Sequence, residues 1–374
     1  MYTERKKCIF CNSNKLSEFF QEKFTIPLGS YNVEEPKNKY EYMPLNIVSC
    51  DECLTFQLKY LGDLSEIYNV NHAYSYGSIL SENNKNFTLL IKDTIPNIKG
   101  IVEIGGGSGI LSDVILNNID TEYTIIDPYY FGNYDKKIII NDYVENVDFD
   151  IINSNIVVMS HVFEHFYEPL KVIEKISDNK KIEYICLNFP DLETYVKKGT
   201  NHVLNPEHTY YVNNSFIIAI FQKYGFDILK KEDYRDHSVH FIFKKSDNIE
   251  NKLILYNTYA DKYIKIYYDN IYKTIEKINT EISLNENRLN YIWPCSMHTI
   301  YLFTFGLNHK LFNNILDNSP SKINKYLYGY DLLCKSFKEV QSDTNDQITI
   351  FLIGGCFNKE LEMNNTNNIK YIVI

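Results

Sequence analysis

The chain has 374 residues, a length that favours two or three domains at about 150 residues each. Hydrophobic residues make up 44% and charged residues 23%, a composition that excludes disordered and collagen-like proteins. The formal net charge of -10, without any Lys/Arg block, argues against nucleic acid or an anionic membrane as a partner. No apolar run is long enough to span a membrane or to direct secretion, so we expect a cytoplasmic protein.

Two C-x-x-C pairs stand near the start of the chain, with 38 residues between them. Disulfides are disfavoured in a cytoplasmic protein, and four thiolates in this pattern can converge tetrahedrally on zinc. Such a zinc ion would be structural, because four thiolates leave no open coordination position. The alternative is a set of ordinary buried or redox cysteines. The predicted zinc ligands are Cys8, Cys11, Cys50 and Cys53.

A glycine-rich turn follows a short β-branched run over residues 98–104, which predicts a strand. The residues from Ile110 to about Asn117 predict a helix, whose N-terminus would offer free N–H groups to a ligand. A dinucleotide fingerprint requires a glycine where this chain has Ile110. The pattern is instead E-x-G-x-G-x-G. Its defining residues are Glu103, Gly105, Gly107 and Gly109.

A second acidic residue, Asp127, follows the next predicted strand, residues 123–126, and lies 22 residues after Gly105. A carboxylate there can hold both hydroxyls of a ribose. The Glu103 carboxylate suits a cationic amine, so the two acids together indicate a site for a nucleoside without phosphates. At these residues the chain resembles S-adenosylmethionine-dependent methyltransferases with a Rossmann-like core. The resemblance implies that Asp142, after a third strand over 136–140, lies near the adenine.

The apolar run 156–159 predicts another strand of the same sheet, and it leads into two histidines. Ligands bind at the carboxyl ends of parallel strands, so the resemblance places this strand end beneath the methyl donor. His161 and His165 are four residues apart and would share a helix face. We expect His165 to face the substrate, because a metal held by the pair would need a third ligand that the spacing does not supply.

A segment after the strand predicted over 184–187 sharpens the resemblance. It reads Asn-Pro-Glu-His-Thr-Tyr-Tyr over residues 205–211. The chain resembles three-domain C-methyltransferases of nucleotide-linked keto-deoxysugars, which combine a four-cysteine zinc domain, a core with a Glu-His-x-x-Tyr segment and a C-terminal Rossmann-like domain. Three other segments are similar to that family: the residues after the second cysteine pair, a Tyr/Ser-rich stretch and an acidic turn, at 53–58, 74–78 and 317–322.

This resemblance implies an α/β protein with a Rossmann-like methyltransferase core between two smaller domains. We expect a zinc-binding domain over 1–70, the core over 71–248, a long connecting helix over 249–285 and a smaller C-terminal Rossmann-like α/β substrate domain over 286–374. The cofactors would be S-adenosylmethionine and structural zinc. The substrate would be a nucleotide sugar, and the protein would be a monomer or a weak homodimer.

The connecting helix is predicted independently, from apolar residues that recur every three or four positions between 253 and 282. Such a stripe can be a strut between domains or a coiled-coil dimer seam, and its tyrosines favour the strut. Four later runs that are wholly or partly apolar, the first over residues 291–295, indicate a small parallel sheet.

Methylation of a carbon beside a keto group needs a base and a partner for the enolate oxygen. The resemblance makes His208, with Glu207 beside it, the leading base. Tyr76, His165 and Tyr210 would donate hydrogen bonds to the oxyanion.

The chain departs from the family at two places. The loop 293–299 has no glycine, which argues against a nucleotide diphosphate cradle there, and Pro206 stands where the family commonly has a further histidine. Both departures leave the acceptor open.

Three other functions compete with C-methylation. An O- or N-methyltransferase of a sugar or glycan precursor could use the same residues. A NAD-dependent sugar oxidoreductase is disfavoured by Ile110 in the glycine turn. A non-enzymatic zinc scaffold is disfavoured because Glu103, the glycines and Asp127 are all present.

Overall fold

The computed structural model describes residues 2–19, 24–27, 32–36, 41–68, 78–197, 207–235, 237–247, 260–342, 346–355, 358 and 368–374. Within these residues the chain is organised around a four-, a seven- and a five-stranded sheet, with shorter strand pairs beside them. None of the helices in this part of the chain is both long and apolar enough to cross a membrane.

The N-terminal region consists of short strands and one short helix. They are β1 (Tyr2–Glu4), β2 (Leu16–Glu18), β3 (Phe24–Pro27), β4 (Asn32–Val33), β5 (Tyr42–Leu45), β6 (Ile47–Cys50), β7 (Phe56–Leu58), β8 (Tyr60–Gly62) and α1 (Leu64–Ile67). β2, β6 and β7 pair antiparallel, and the second cysteine pair lies at the end of β6 and in the turn that follows it.

The central region alternates strands and helices before it ends in an antiparallel strand pair. Its elements are α2 (Ser78–Thr94), β9 (Ile101–Ile104), α3 (Ile110–Leu116), β10 (Tyr123–Ile126), β11 (Ile138–Ile140), β12 (Ile156–Ser160), α4 (Pro169–Asp178), β13 (Tyr184–Pro190), α5 (Leu192–Lys197), β14 (Tyr210–Tyr211), α6 (Asn214–Lys223), β15 (Phe226–Tyr234) and β16 (Ser238–Lys245), with 3-10 turns at Phe149–Ile151 and Phe163–His165.

The seven-stranded sheet has the order β11-β10-β9-β12-β13-β16-β15. The first five strands are parallel, in the arrangement of a doubly wound sheet, and β16 and β15 add antiparallel strands to one edge. β9 and β13 are buried at every position, as expected for strands covered on both faces. The carboxyl ends of β9, β10 and β12 meet where the strand order reverses, which is the usual place of a ligand site.

The C-terminal region forms the predicted small parallel sheet. Its elements are α7 (Ala260–Ser283), β17 (Leu289–Trp293), α8 (Met297–Thr304), β18 (Asn314–Leu316), β19 (Tyr326–Leu327), β20 (Cys334–Lys335), α9 (Phe337–Ser342), β21 (Ile348–Leu352) and β22 (Ile369–Val373), with a 3-10 turn at His309–Leu311. The sheet order is β20-β18-β17-β21-β22, and all of its pairings are parallel.

The N-terminal region is tied to both of the others by strand pairing. β14 of the central region pairs with β7 and becomes the edge strand of the N-terminal four-stranded sheet. β19 of the C-terminal region pairs with β4. These pairings join the regions and do not show where one domain ends and the next begins. The predicted boundaries at residues 70, 248 and 285 therefore stay predictions.

Helix α7 covers the part of the predicted apolar stripe that begins at Ala260, and the earlier stripe positions lie outside the described residues. Tyr267, Ile271 and Ile278 are buried in one core cluster with residues of the N-terminal and C-terminal regions, among them Phe56 and Tyr301. Helix α7 thus shares a core cluster with both regions, which favours the strut over the dimer seam.

Candidate active site

The glycine turn between β9 and α3 is held close to its neighbours. Gly105 and Gly109 have φ values of +78° and +76°, a conformation that other residues adopt only with strain. A Cβ at Gly105 would lie 2.6 Å from Cγ2 of Val162, and one at Gly109 would lie 2.5 Å from the hydroxyl of Tyr130. The turn therefore needs glycine for both its backbone conformation and its packing.

Asp127 anchors this turn from the end of β10. Its Oδ2 accepts a hydrogen bond of 2.8 Å from the Gly107 N–H, and its Oδ1 accepts one of 2.7 Å from the Tyr129 N–H. Burial raises the pKa of the Asp127 carboxyl, and the two backbone hydrogen bonds oppose that rise. The carboxylate thus orients the turn and also reaches the cavity beside it.

A cavity of about 310 Å³ opens at the glycine turn and at the ends of the parallel strands. This volume is at the lower end of the range for small-molecule sites. Residues from the turn, from Asp127 to Phe131, from the end of β12 and from the segment before β14 line its wall. They include Tyr68, Gly105, Gly107, Asp127, Tyr129, Tyr143, Val144, Glu145, His161, His165 and Glu207.

Two of the predicted cofactor-binding residues make hydrogen bonds within the protein and do not line the cavity in the described structure. Glu103 is not among the residues that line the cavity in the described part of the chain. It is buried beneath the turn and accepts a hydrogen bond of 2.8 Å from the Tyr123 hydroxyl. The Asp142 carboxylate accepts from Tyr143 N–H and Asn146, while Tyr143 and its neighbours line the cavity instead. The predicted contacts of Glu103 with the amine and of Asp142 with the adenine stay predictions, since the described contacts of both carboxylates are with the protein itself.

The histidines after β12 do not share a helix face, so that prediction is wrong. His161 has a left-handed backbone with φ of +51°, and only a 3-10 turn from Phe163 to His165 follows it. Both rings nevertheless reach the cavity. The Nδ1 of His165 is hydrogen-bonded over 2.8 Å to the hydroxyl of Tyr68, a residue that no sequence motif indicated.

Glu207 and His208 point to different places, although they are adjacent. Glu207 is buried and lines the cavity, with Oε2 at 3.8 Å from Nδ1 of His165. His208 instead lines a small separate cavity with Glu164 and Phe189. Burial lowers the pKa of His208 to about 4, with His165 adding to the effect, so the His208 ring is neutral at pH 7.

Of the two other candidate oxyanion donors, the structure describes only Tyr210. Tyr76 lies outside the described residues. The hydroxyl of Tyr210 is buried and donates to the backbone oxygen of Phe163, so its hydrogen is used within the protein. Among the residues predicted to contact the acceptor, the described structure brings His165 and Glu207 together.

The segment that carries Glu207 is positioned by the N-terminal region. Thr209 donates its N–H to Glu164 O at 2.9 Å and accepts from Leu58 N–H at 3.0 Å. The buried guanidinium of Arg5 donates to the oxygens of Thr209 and Leu58, at 2.8 and 3.3 Å. The sequence could not indicate this role of Arg5, which depends on contacts between residues about 200 positions apart.

The four predicted zinc ligands converge. The sulfurs of Cys8, Cys11, Cys50 and Cys53 all lie within 4.8 Å of one another. The Sγ–Sγ distances are 3.4 Å for Cys8 and Cys53 and 3.5 Å for Cys11 and Cys50, well above the S–S bond length of about 2 Å. This set of free thiols fits a tetrahedral zinc ion.

The charged side chains of the acidic turn in the C-terminal region bind to other groups of the protein. Lys322 Nζ lies 2.8 Å from Asp317 Oδ2 and donates to Cys295 O at 2.9 Å. Ser296 caps the N-terminus of α8 with its own side chain. A nucleotide site at this sheet stays a prediction from the resemblance, since this lysine already has partners inside the protein.

The hydrogen bonds of Asp127 lead to a prediction for cofactor affinity. Asp127→Ala should weaken binding of S-adenosylhomocysteine by about 10- to 100-fold, because it removes an acceptor of two hydrogen bonds that shape the turn. Isothermal titration calorimetry measures this. Asp120→Ala, at an exposed position, is the control, and equal affinities of the two variants would contradict the assignment.

The environment of Glu103 predicts a pH-dependent stability. Burial raises the pKa of Glu103 to about 7, despite the opposing hydrogen bond from Tyr123. Because the folded protein holds this proton more tightly than the unfolded chain, stability is lost as the pH rises from about 4.5 through 7. Glu103→Gln should reduce this loss by up to about 3 kcal/mol in urea unfolding at pH 5 and pH 8.5. The variant should also keep its affinity for S-adenosylhomocysteine within about threefold, whereas a loss beyond tenfold would support the predicted amine-binding role of Glu103.

Comparison with known proteins finds a family match in the central region. Residues 78–231 match a family described as a methyltransferase domain. A search of curated proteins finds no match. Among solved structures, the chain is similar to 1,6-didemethyltoxoflavin-N1-methyltransferase of Burkholderia thailandensis with bound 1,6-didemethyltoxoflavin and S-adenosylhomocysteine. The identity is 9% and the TM-score 0.38, over 53% of this chain and 98% of the other.

Two other solved structures are similar over a comparable part of the chain. One is the N-methyltransferase NodS of Bradyrhizobium japonicum WM9 with S-adenosylhomocysteine, at 9% identity and a TM-score of 0.35, over 46% of this chain and 91% of the other. The second is the N-terminal domain of EvdMO1 in the presence of S-adenosylhomocysteine and D-fucose, at 11% identity and a TM-score of 0.33, over 46% and 84%.

The family match covers strands β9 to β13 of the seven-stranded sheet, and the glycine turn, Asp127 and most of the residues that line the cavity lie within it. The central region of the chain is a methyltransferase domain with a Rossmann-like core.

Proposed function

We propose that the protein methylates a carbon beside a keto group of a nucleotide-linked sugar. The observation that carries this proposal is the carboxylate of Glu207 on the wall of the cofactor cavity, 3.8 Å from the imidazole of His165. A carboxylate and an imidazole at one cavity wall can move a proton and stabilise a developing oxyanion. The resemblance of the chain to keto-deoxysugar C-methyltransferases supports the choice of acceptor.

On the basis of the structure, we assign the role of base to a different residue from the one that the sequence analysis indicated. His208 does not line the cofactor cavity in the described structure, and its ring faces Glu164 instead. Glu207 replaces it as the proposed base, since its buried carboxylate faces the space beside the glycine turn.

The proposed roles follow from the positions of the side chains. Glu207 accepts the proton from the carbon next to the carbonyl, and the electron pair of that C–H bond forms the enolate. His165, oriented by Tyr68, donates a hydrogen bond to the enolate oxygen. Bound S-adenosylmethionine supplies a methyl group on its sulfonium sulfur. The cavity wall aligns the carbon with that group and keeps water away.

We also propose that the N-terminal cysteines hold structural zinc. Four convergent sulfurs, three of them on buried residues, support this proposal. Through β7 and Arg5 the zinc-binding region would fix the segment that carries Glu207.

A panel of nucleotide-linked keto-sugars with isotopically labelled methyl donor tests the proposed reaction by mass spectrometry. With the wild-type protein we expect a labelled methyl group on carbon. We also expect the acceptor's α-proton to exchange with deuterium when S-adenosylhomocysteine replaces the donor, because only a carbon acid forms an enolate. Methyl transfer without any such exchange would identify a hydroxyl or amine acceptor and overturn C-methylation.

A further inference from the structure

A buried carboxylate that has no part in the proposed reaction lies beside the cofactor cavity. Glu164 is 2% exposed, and neither of its oxygens has a hydrogen-bond partner among the described residues. Leaving an ionised carboxylate buried and unpaired is costly, so such a group is normally paired or bound to a metal ion. Neither the predicted zinc site nor the proposed role of Glu207 involves Glu164.

Three imidazoles surround this carboxylate. The Oε1 atom of Glu164 lies 3.9 Å from Nε2 of His165, 3.9 Å from Nε2 of His208 and 3.7 Å from Nδ1 of His161. One ligand atom from each of Glu164, His165 and His208 falls within 4.8 Å of the other two. These distances are too long for hydrogen bonds but leave room for an ion between the side chains.

The geometry points to a divalent transition-metal ion bound by Glu164, His165 and His208. Metal–ligand distances of about 2.0 to 2.2 Å would require each of the three ligand atoms to move toward the ion by roughly half an ångström. Two imidazoles and one carboxylate suit first-row metals such as Zn²⁺, Co²⁺ or Fe²⁺ rather than Mg²⁺ or Ca²⁺, which prefer oxygen ligands.

The surroundings of the ligands fit metal binding. Tyr68 is hydrogen-bonded to Nδ1 of His165, so when Nδ1 donates that hydrogen bond, Nε2 keeps its lone pair for a metal. The segment that carries His208 is fixed by the hydrogen bonds of Thr209 to both Glu164 and Leu58. The sequence spacing alone did not reveal the third ligand, because Glu164 and His208 are 44 residues apart.

The ion would lie in the wall between two cavities. His165 lines the cofactor cavity, while Glu164 and His208 line the smaller cavity beside it. Three protein ligands leave at least one coordination position open, as in catalytic metal sites. An oxygen of the methyl acceptor could occupy it, and the metal would then stabilise the negative charge on that oxygen in place of the hydrogen bond from His165, whose Nε2 would be bound to the metal. This role rests on the proposed function, but metal binding itself does not.

Cobalt titration of the full-length protein, with zinc already in the cysteine site, tests the proposal. We expect one further equivalent of Co²⁺, seen as visible ligand-field absorption without the near-ultraviolet charge-transfer band of thiolate ligands. Glu164→Gln and His208→Ala should each weaken this binding at least tenfold. His309→Ala, which changes a histidine in the C-terminal region, is the matched control and should bind Co²⁺ like the wild type.

Zinc content and S-adenosylhomocysteine affinity report whether each variant is folded. If His208→Ala fails to fold, Glu164→Gln decides the question, because glutamine has nearly the same shape as glutamate. The proposal is overturned if the wild type takes up no Co²⁺ beyond the cysteine site, or if a folded Glu164→Gln variant binds it unchanged. Because the readout is absorption, this result is independent of whether the acceptor is a keto-sugar.

Discussion

Cys50→Ser should release zinc and unfold the N-terminal region, the largest effect that we expect from a single substitution. Cys50 is fully buried at the end of β6, and its sulfur lies 3.5 Å from that of Cys11. Zinc contributes about 10 to 16 kcal/mol to the folding of small zinc-binding units, which is comparable to or greater than the entire stability of a typical domain. Loss of one thiolate ligand should therefore leave much of residues 2–68 without a stable fold.

Metal analysis and hydrogen exchange measure this effect. We expect about one zinc per chain in the wild type and almost none in the variant, together with fast amide exchange in β6 and β7. Cys186→Ala is the control, because Cys186 is a buried cysteine of the central sheet, remote in sequence from the four ligands. A folded Cys50→Ser protein that retains its zinc would contradict the assignment of the four ligands.

Glu207→Gln should lower the rate of methyl transfer by about 10² to 10⁴-fold, as expected when a general base is removed. The glutamine side chain fills nearly the same volume but cannot accept the proton of the carbon acid. The affinity for S-adenosylhomocysteine should change less than about threefold, because the glycine turn and Asp127 are untouched. Deuterium exchange of the acceptor should fall in parallel with turnover.

Glu168→Gln provides the matched control. Glu168 is an exposed carboxylate just before α4, paired with Lys171 on the surface. Its replacement should leave turnover and exchange within about twofold of the wild type. If Glu207→Gln retained full exchange activity, the base would have to be another residue of the cavity, and the proposed role of Glu207 would be wrong.

The parts of the site that depend on local sequence could be predicted. Short segments of the chain specify the glycine turn, the strand over 123–126 and Asp127. Each segment has a recognisable strand or turn pattern of its own, so no distant contact had to be known. The methyltransferase core and the C-terminal parallel sheet were predicted from the same kind of pattern, and both are confirmed.

Other features depend on side-chain direction, which spacing alone does not give. Strand alternation places Val102 and Ile104 in one core cluster and turns Glu103 to the opposite face, beside Tyr123. His161 has a left-handed backbone conformation, so it does not begin a helix in which His161 and His165 would share a face. Which of Glu207 and His208 faces the cavity is decided by the hydrogen bonds of the next residue, Thr209, with two distant segments.

The strand pairing between β7 and β14 has a consequence for how the protein is made. Gln57 pairs with Tyr210, a residue 153 positions later in the chain. During synthesis the cysteines can bind zinc early, but the sheet beside them stays open at one edge until β14 has left the ribosome. An unpaired strand edge can pair with other chains, so the nascent protein is most exposed to aggregation in this interval. Closing such a long loop is also slow, and we expect the pairing of β14 to be a late step in folding.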